Sequence, residues 1–188
     1  MNTGPVSLRL RAALKALRAG GVVACPTEAV WGLSCDPDNP RAVQRLLSLK
    51  DRPVSKGLIL VAASESQLGF LLHDLSDSER SLLAASWPGP STWLLPHRER
   101  VPGWVSGDHD TVAVRVSAHP VVSALCKVWG GPLVSTSANP GGARPARSLF
   151  QVRRYFNDAL DAIVPGALGD QARPTGIRNL ATGEIIRS

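Results

Sequence analysis

The chain is poor in the residues from which most metal sites, redox centres and covalent catalysts are built. Its 188 residues hold three cysteines, four histidines, one tyrosine and one methionine. Cys25, Cys35 and Cys126 are an odd number and form no C-x-x-C pair. That argues against a disulfide framework or a zinc site and fits a reducing cytoplasm. The histidines lie apart, without metal-ligand spacing, so no protein-built metal site is expected. There is no G-x-x-x-x-G-K-[ST] loop, no G-x-G-x-x-G, no H-E-x-x-H and no G-x-S-x-G elbow. Nothing nominates a nucleophile beside a base. No stretch approaches the roughly 18 uninterrupted apolar residues of a membrane span. The N-terminus carries cations every few residues without a continuous apolar core, which does not suit a secretory signal. Aromatics make up 5% of the chain and the five tryptophans are scattered, so there is no basic-aromatic stripe for stacking bases.

What is present is an ordinary globular composition with a basic balance. Hydrophobic residues at 44% and charged ones at 19% fit a single folded domain over 1–188. The net charge of +6 favours anionic partners. The cations are not evenly spread. Lys50, Arg52 and Lys56 fall within seven residues, beside Pro53 and Gly57. A loop that only turns the chain has no need of three like charges, and their repulsion is best relieved by an anion. Lys50 alone also reads as a cation at a helix C-terminus.

Along the chain, helical and strand patterns alternate irregularly. Leu10, Ala13, Leu14 and Leu17 recur at helical spacing up to Gly20-Gly21, with Arg9, Arg11, Lys15 and Arg18 on a solvated face. Residues 22–25 read as a strand ending at Pro26, with Thr27 and Glu28 at its end, where α/β sheets commonly build sites. On spacing alone Thr27 reads first as a turn or cap hydroxyl. Asn39-Pro40 opens a helix running to about Leu49, and residues 58–62 form the next strand. Ser64/Gln67 and Ser76/Glu79 each suggest a capping box. Residues 97–110 are the longest irregular stretch and a candidate mobile lid. Residues 111–117 alternate, with Val112, Val114 and Val116 on one face and Thr111, Ala113 and Arg115 on the other. Arg115 taken alone reads as a solvated edge residue, and His119 as a cap or loop histidine. A strand ending in Ser135-Thr136-Ser137-Ala138-Asn139 runs into a Pro/Gly-rich loop with Arg144 and Arg147. This is either a backbone cradle for a polyanion or an ordinary Ser/Asn turn. Ser148 caps another helix, and the end of the chain reads as a hairpin turning at Thr182-Gly183.

Clustered cations and a small polar strand end, with no nucleophile beside a base, suit phosphoryl or nucleotidyl transfer, which relies on positioning and charge neutralisation. PTEAVWGL, K-x-R-P with SKGLI, WPGP, AVRV followed by HP, and STSAN occur in that order. The set resembles the YrdC/TsaC family of threonylcarbamoyl-AMP synthases, in its short form without the further C-terminal domain of longer relatives. The resemblance implies a single twisted mixed-sheet α/β domain around a large, positively charged concave cavity. It also implies synthesis of threonylcarbamoyl-AMP and pyrophosphate from L-threonine, bicarbonate or CO₂, and ATP, with Mg²⁺. A partner threonylcarbamoyl-transferase complex would carry the group to adenosine 37 of tRNAs that read codons beginning with A. By residue, it implies that Lys50, Arg52, Ser137 and Asn139 hold the ATP phosphates and catalyse, with Lys56 in support. Thr111 and Arg187 would help hold the nucleotide. Thr27, Arg115, Ser135 and Thr175 would hold threonine, with Arg115 on its carboxylate. The sequence departs from the family pattern at Pro140-Gly141-Gly142, where a serine is common, and at Pro174-Thr175-Gly176-Ile177. The competing reading is a non-catalytic RNA-binding or ribosome-assembly factor that uses the basic cavity.

Overall fold

The computed structural model describes residues 7–171 and 175–187. Nine strands form one mixed sheet in the order β7-β1-β2-β6-β3-β5-β4-β8-β9. They are β1 Val23–Pro26, β2 Trp31–Cys35, β3 Ile59–Ala62, β4 Ser91–Pro96, β5 Thr111–Val116, β6 Leu133–Ser137, β7 Ala162–Ile163, β8 Gly176–Asn179 and β9 Ile185–Arg187. β1, β2, β6 and β3 pair antiparallel in turn, whereas β3 and β5 run parallel. Among the described residues the helices are α1 Leu8–Arg18, α2 Pro40–Leu49, α3 Gly69–Leu72, α4 Asp77–Ala84, α5 Gly103–Ser106, α6 Pro120–Trp129 and α7 Leu149–Phe156.

The two faces of the sheet differ because the strand residues alternate. On β5, Val112, Val114 and Val116 point into the larger core, which α2, α4 and α7 also line. On the opposite face α1 and α6 cover Val23, Cys25, Val61 and Leu133. The rest of that second face carries Gly32, Ile59, Thr111, Ala113, Ser135 and Ser137, and here a cavity opens. Small and polar side chains give a helix little apolar surface to bury, so this half of the face is left for a ligand.

The structure departs from the sequence reading in four places. Residues 31–35 form a strand that the sequence pattern does not mark, so the PTEAVWGL segment spans the turn of a β1–β2 hairpin. Ser64 makes no capping bond. Gln67 instead bridges Ala63 N at 2.8 Å and Cys126 O at 2.9 Å, which takes it away from the helix end. Arg115 is not at an edge, because β5 lies between β3 and β4. The 97–110 segment is anchored at its centre, since Val101 and Val105 sit in the core and Trp104 Nε1 donates to Pro37 O. The Ser76/Glu79 capping box and the terminal β8–β9 hairpin are as read.

Candidate active site

The basic loop begins where α2 ends. Lys50 is the C-cap of α2, and Asp51 takes a positive φ of 48° that turns the chain away. Arg52 curls back on its own loop, donating through Nη2 to Gly57 O at 2.8 Å. Its guanidinium and Lys56 both line the cavity. Gly57, at φ 60°, meets the α5 segment so closely that a Cβ would lie 2.7 Å from Ser106 O. Gly107, at φ 66°, packs reciprocally, with a Cβ position 2.5 Å from Ser55 O. Leu58 N donates to Val105 O and Asp108 N to Ser55 O across this seam. The segment read as a candidate lid forms a wall of the site at this point. It contributes Ser106 and His109 to the lining, which the sequence reading did not single out.

Lys50 takes a different course from its two neighbours. It is 5% exposed, and its Nζ donates to Ser137 O, to Asn139 O at 2.9 Å and to Asn139 Oδ1 at 3.4 Å. Three acceptors match the three donors of an ammonium group. Ser137 Oγ donates to the same Asn139 Oδ1 at 2.6 Å, and Asn139 Nδ2 donates to Ala143 O at 2.8 Å. A Cβ on Gly141 would stand 3.3 Å from Lys50 O, so the following turn packs on the end of α2. Lys50 is thus a peg behind the β6 terminus, and Ser135 and Ser137 present themselves to the cavity in front of it. Burial, with Arg52 nearby, pushes the Lys50 ammonium down from 10.5 to about 8. The three oxygens pull the other way, because they favour the charged form.

The far wall comes from the β1–β2 turn and from β5. Thr27 Oγ1 donates to Val30 O at 2.8 Å, so this residue is both the turn hydroxyl and part of the lining. Arg115 is 5% exposed, and its Nη1 donates to Thr175 Oγ1 at 3.0 Å. Thr111 lies two residues before Ala113 on the same face of β5. Thr27, Arg52, Lys56, Thr111, Arg115, Ser135, Ser137 and Thr175 therefore share one cavity of about 380 Å³, the size range of small-molecule sites. Asn139 stands behind it with Lys50. Arg187 ends β9, and its side chain lies outside the described residues.

Among the described residues the lining includes Arg52, Lys56 and Arg115 and no carboxylate. No group of three His, Cys, Asp or Glu gathers anywhere among them. Cys25, Cys35 and Cys126 are buried and unpaired, and burial drives each thiol up to about 12, far from a reactive thiolate. His119 opens α6, and its ring meets Ala167 O at 3.1 Å. No helix among the described residues is long and apolar enough to cross a membrane. The arrangement can bind anions, orient them and neutralise developing charge.

The comparisons with known proteins agree with that chemistry. A family model named for Sua5, YciO and YrdC and described as "telomere recombination" matches residues 15–188. A threonylcarbamoyl-AMP synthase from Pseudomonas aeruginosa is 59% identical over 181 residues, covering 96% of this chain and 97% of that protein. One from Halorhodospira halophila is 57% identical over 98% of this chain and 96% of its own length. Among solved structures, P. abyssi Sua5 complexed with L-threonine matches 94% of this chain with a TM-score of 0.86 at 32% identity. This chain spans about half of that longer one, 52%. E. coli YciO, at 24% identity, shares the fold with a TM-score of 0.84 over 95% of this chain and 88% of its own. The chain belongs to the Sua5/YciO/YrdC family.

Proposed function

We infer that this chain is a threonylcarbamoyl-AMP synthase, joining L-threonine, bicarbonate or CO₂, and ATP into threonylcarbamoyl-AMP and pyrophosphate. The observation that carries this reading is a cavity lined by the buried Arg115 and by the loop cations Arg52 and Lys56, with no thiol or carboxylate among the described residues of its lining. Curated relatives at up to 59% identity over nearly the whole chain carry that name. A compact cavity suits small molecules better than a nucleic-acid strand, which needs a groove that tracks its backbone.

The threonine ammonium loses a proton to water, the amine adds to CO₂ and gives up a second proton to form a carbamate, and a carbamate oxygen attacks the α-phosphorus of ATP. One P–O bond forms, the bond to the β-phosphate oxygen breaks, and pyrophosphate leaves. The nucleophile belongs to the substrate, so the protein has only to align the reactants and neutralise charge. Arg115 takes the substrate carboxylate, with Thr27, Ser135 and Thr175 around it. Guanidinium suits this role because it meets a carboxylate with two parallel donors. Arg52, Lys56 and Ser137 face the phosphates, and Thr111, with Arg187, holds the nucleotide. Lys50 and Asn139 act by shaping the β6 end. Mg²⁺ would arrive with the triphosphate, held by its oxygens and by water as this ion prefers. The described residues offer it no ligand set of their own, and no step above depends on it. The mixed anhydride produced must pass to an amine acceptor. We propose adenosine 37 of tRNA, through a partner threonylcarbamoyl-transferase complex, in the cytoplasm.

Pyrophosphate release should require ATP, L-threonine and bicarbonate together. ATP hydrolysis without threonine, or no turnover, would contradict the assignment.

A pH profile follows from Lys50. Its folded value of about 8 lies below the ordinary 10.5, so between these the unfolded chain binds more protons and this group's contribution raises stability with pH. Activity should move the opposite way. A neutral amine offers two N–H groups to three oxygens and turns a lone pair on one of them. Turnover is expected to fall as pH passes about 8 while the denaturation midpoint does not. Activity constant to pH 10, or falling in step with stability, would contradict this.

A further inference from the structure

Glu28 stands against the cavity wall and has no part in the chemistry above. It follows Thr27 in the β1–β2 turn and is 6% exposed. Its backbone is clamped, because Gln171 N donates to Glu28 O at 3.1 Å and a Cβ on Gly169 would lie 2.8 Å from that oxygen. Oε1 accepts from Ser117 Oγ at 2.6 Å. Oε2 lies 3.5 Å from Arg115 Nη2, close enough for an ion pair but long for a hydrogen bond. On its other side the guanidinium is held by Thr175 through Nη1 at 3.0 Å.

Buried charges are paired, and a structural pair needs nothing more. This pair is different because one partner lines the ligand cavity and the other stands behind it. Ser117 fixes the far oxygen of the carboxylate, and its own Oγ accepts from His119 N at 3.1 Å. Thr175 holds one Nη end of the guanidinium by a hydrogen bond and the Glu28 carboxylate stands 3.5 Å from the other, and together they set the orientation of its plane. We propose that Glu28 is a positioning residue for the amino-acid substrate, holding the Arg115 guanidinium in the plane that meets the threonine carboxylate. This rests on the reading that Arg115 takes that carboxylate. Glu28 also carries a field of its own, but threonine arrives as a zwitterion. Repulsion of the carboxylate and attraction of the ammonium largely cancel, and orientation remains.

The test is steady-state kinetics of Glu28→Gln, which keeps the shape and removes the charge. The threonine KM should rise roughly tenfold, the scale of one misaligned charge-assisted contact, with the ATP KM little changed. In an Arg115→Ala background the same change should add nothing to the threonine KM. A merely structural role would lower kcat with the folded fraction and leave both KM values alone. A threonine KM that stays put or falls, or an ATP KM that rises equally, overturns the proposal. If Arg115→Ala also leaves the threonine KM unmoved, the underlying assignment of Arg115 has failed. If Arg115→Ala raises it and Glu28→Gln does not, Glu28 alone is misassigned. Should Glu28→Gln not fold, Ser117→Ala keeps both charges and loosens the carboxylate. It should raise the threonine KM about threefold, and no change there overturns the proposal equally.

Discussion

Replacing Lys50 by alanine is expected to cut turnover at least a hundredfold, although Lys50 does not line the cavity. The ammonium ties Ser137 O, Asn139 O and Asn139 Oδ1 into one turn. Without it Asn139 O loses its donor, while Ser137 O keeps Asn139 N and Asn139 Oδ1 keeps the Ser137 hydroxyl, and a buried oxygen left unsatisfied costs about 1–3 kcal/mol. The β6 end would relax to find other partners, carrying Ser137 with it. A shift of about 1 Å in a catalytic group is enough to cost about a hundredfold in rate. Lys50→Arg should not rescue, because a planar fork cannot reproduce three donors radiating from one nitrogen. Steady-state pyrophosphate release and chemical denaturation on the same samples check this. A Lys50→Ala enzyme that is destabilised by a few kcal/mol yet keeps most of its turnover would show that the peg holds the fold and not the site.

Replacing Arg115 by alanine is expected to raise the threonine KM about a hundredfold. Removing one partner from a buried charge pair costs about 2–5 kcal/mol, much of it from the charge left behind. Here the charge left without its partner in the complex is the substrate carboxylate. The ATP KM should change much less, because Arg52 and Lys56 line the cavity from the separate loop that follows α2. Titration of threonine and ATP in turn separates the two. Equal effects on both substrates would mean that the cavity is not divided into an amino-acid end and a phosphate end.

Local pattern showed the clustered cations and the faces of the strands, the resemblance supplied the roles of single residues, and the rest depended on distant contacts. The alternation of β5 correctly placed Thr111, Ala113 and Arg115 on one face. It could not show that β5 is central, because that depends on pairing with β3 and β4 from elsewhere in the chain. The crowding of Lys50, Arg52 and Lys56 was visible, but their division of labour was not. Lys50 turns under a strand end 87 residues away, and Lys56, read from sequence as a supporting cation, lines the cavity. β2 was missed because all five of its residues are buried, so it shows no alternation of polar and apolar positions. Its Gly32 allows a close approach. A Cβ would lie 3.1 Å from Thr27 Cγ2 and 3.4 Å from Thr136 O. The α5 segment looked loose because Gly, Pro and mixed charge hide two core valines. The seam between Gly57 and Gly107 that makes it a wall is a contact between loops fifty residues apart. No local period records such a contact.

On the reading above, carbon dioxide, threonine and the AMP moiety are joined in this one cavity. The most direct measurement is the mass of the adenylate formed from ATP and L-threonine in ¹³C-bicarbonate. The expected product is threonylcarbamoyl-AMP carrying one heavy carbon, formed in step with pyrophosphate. Threonyl-AMP without the label, or ATP consumed with no adenylate containing threonine, would contradict the account.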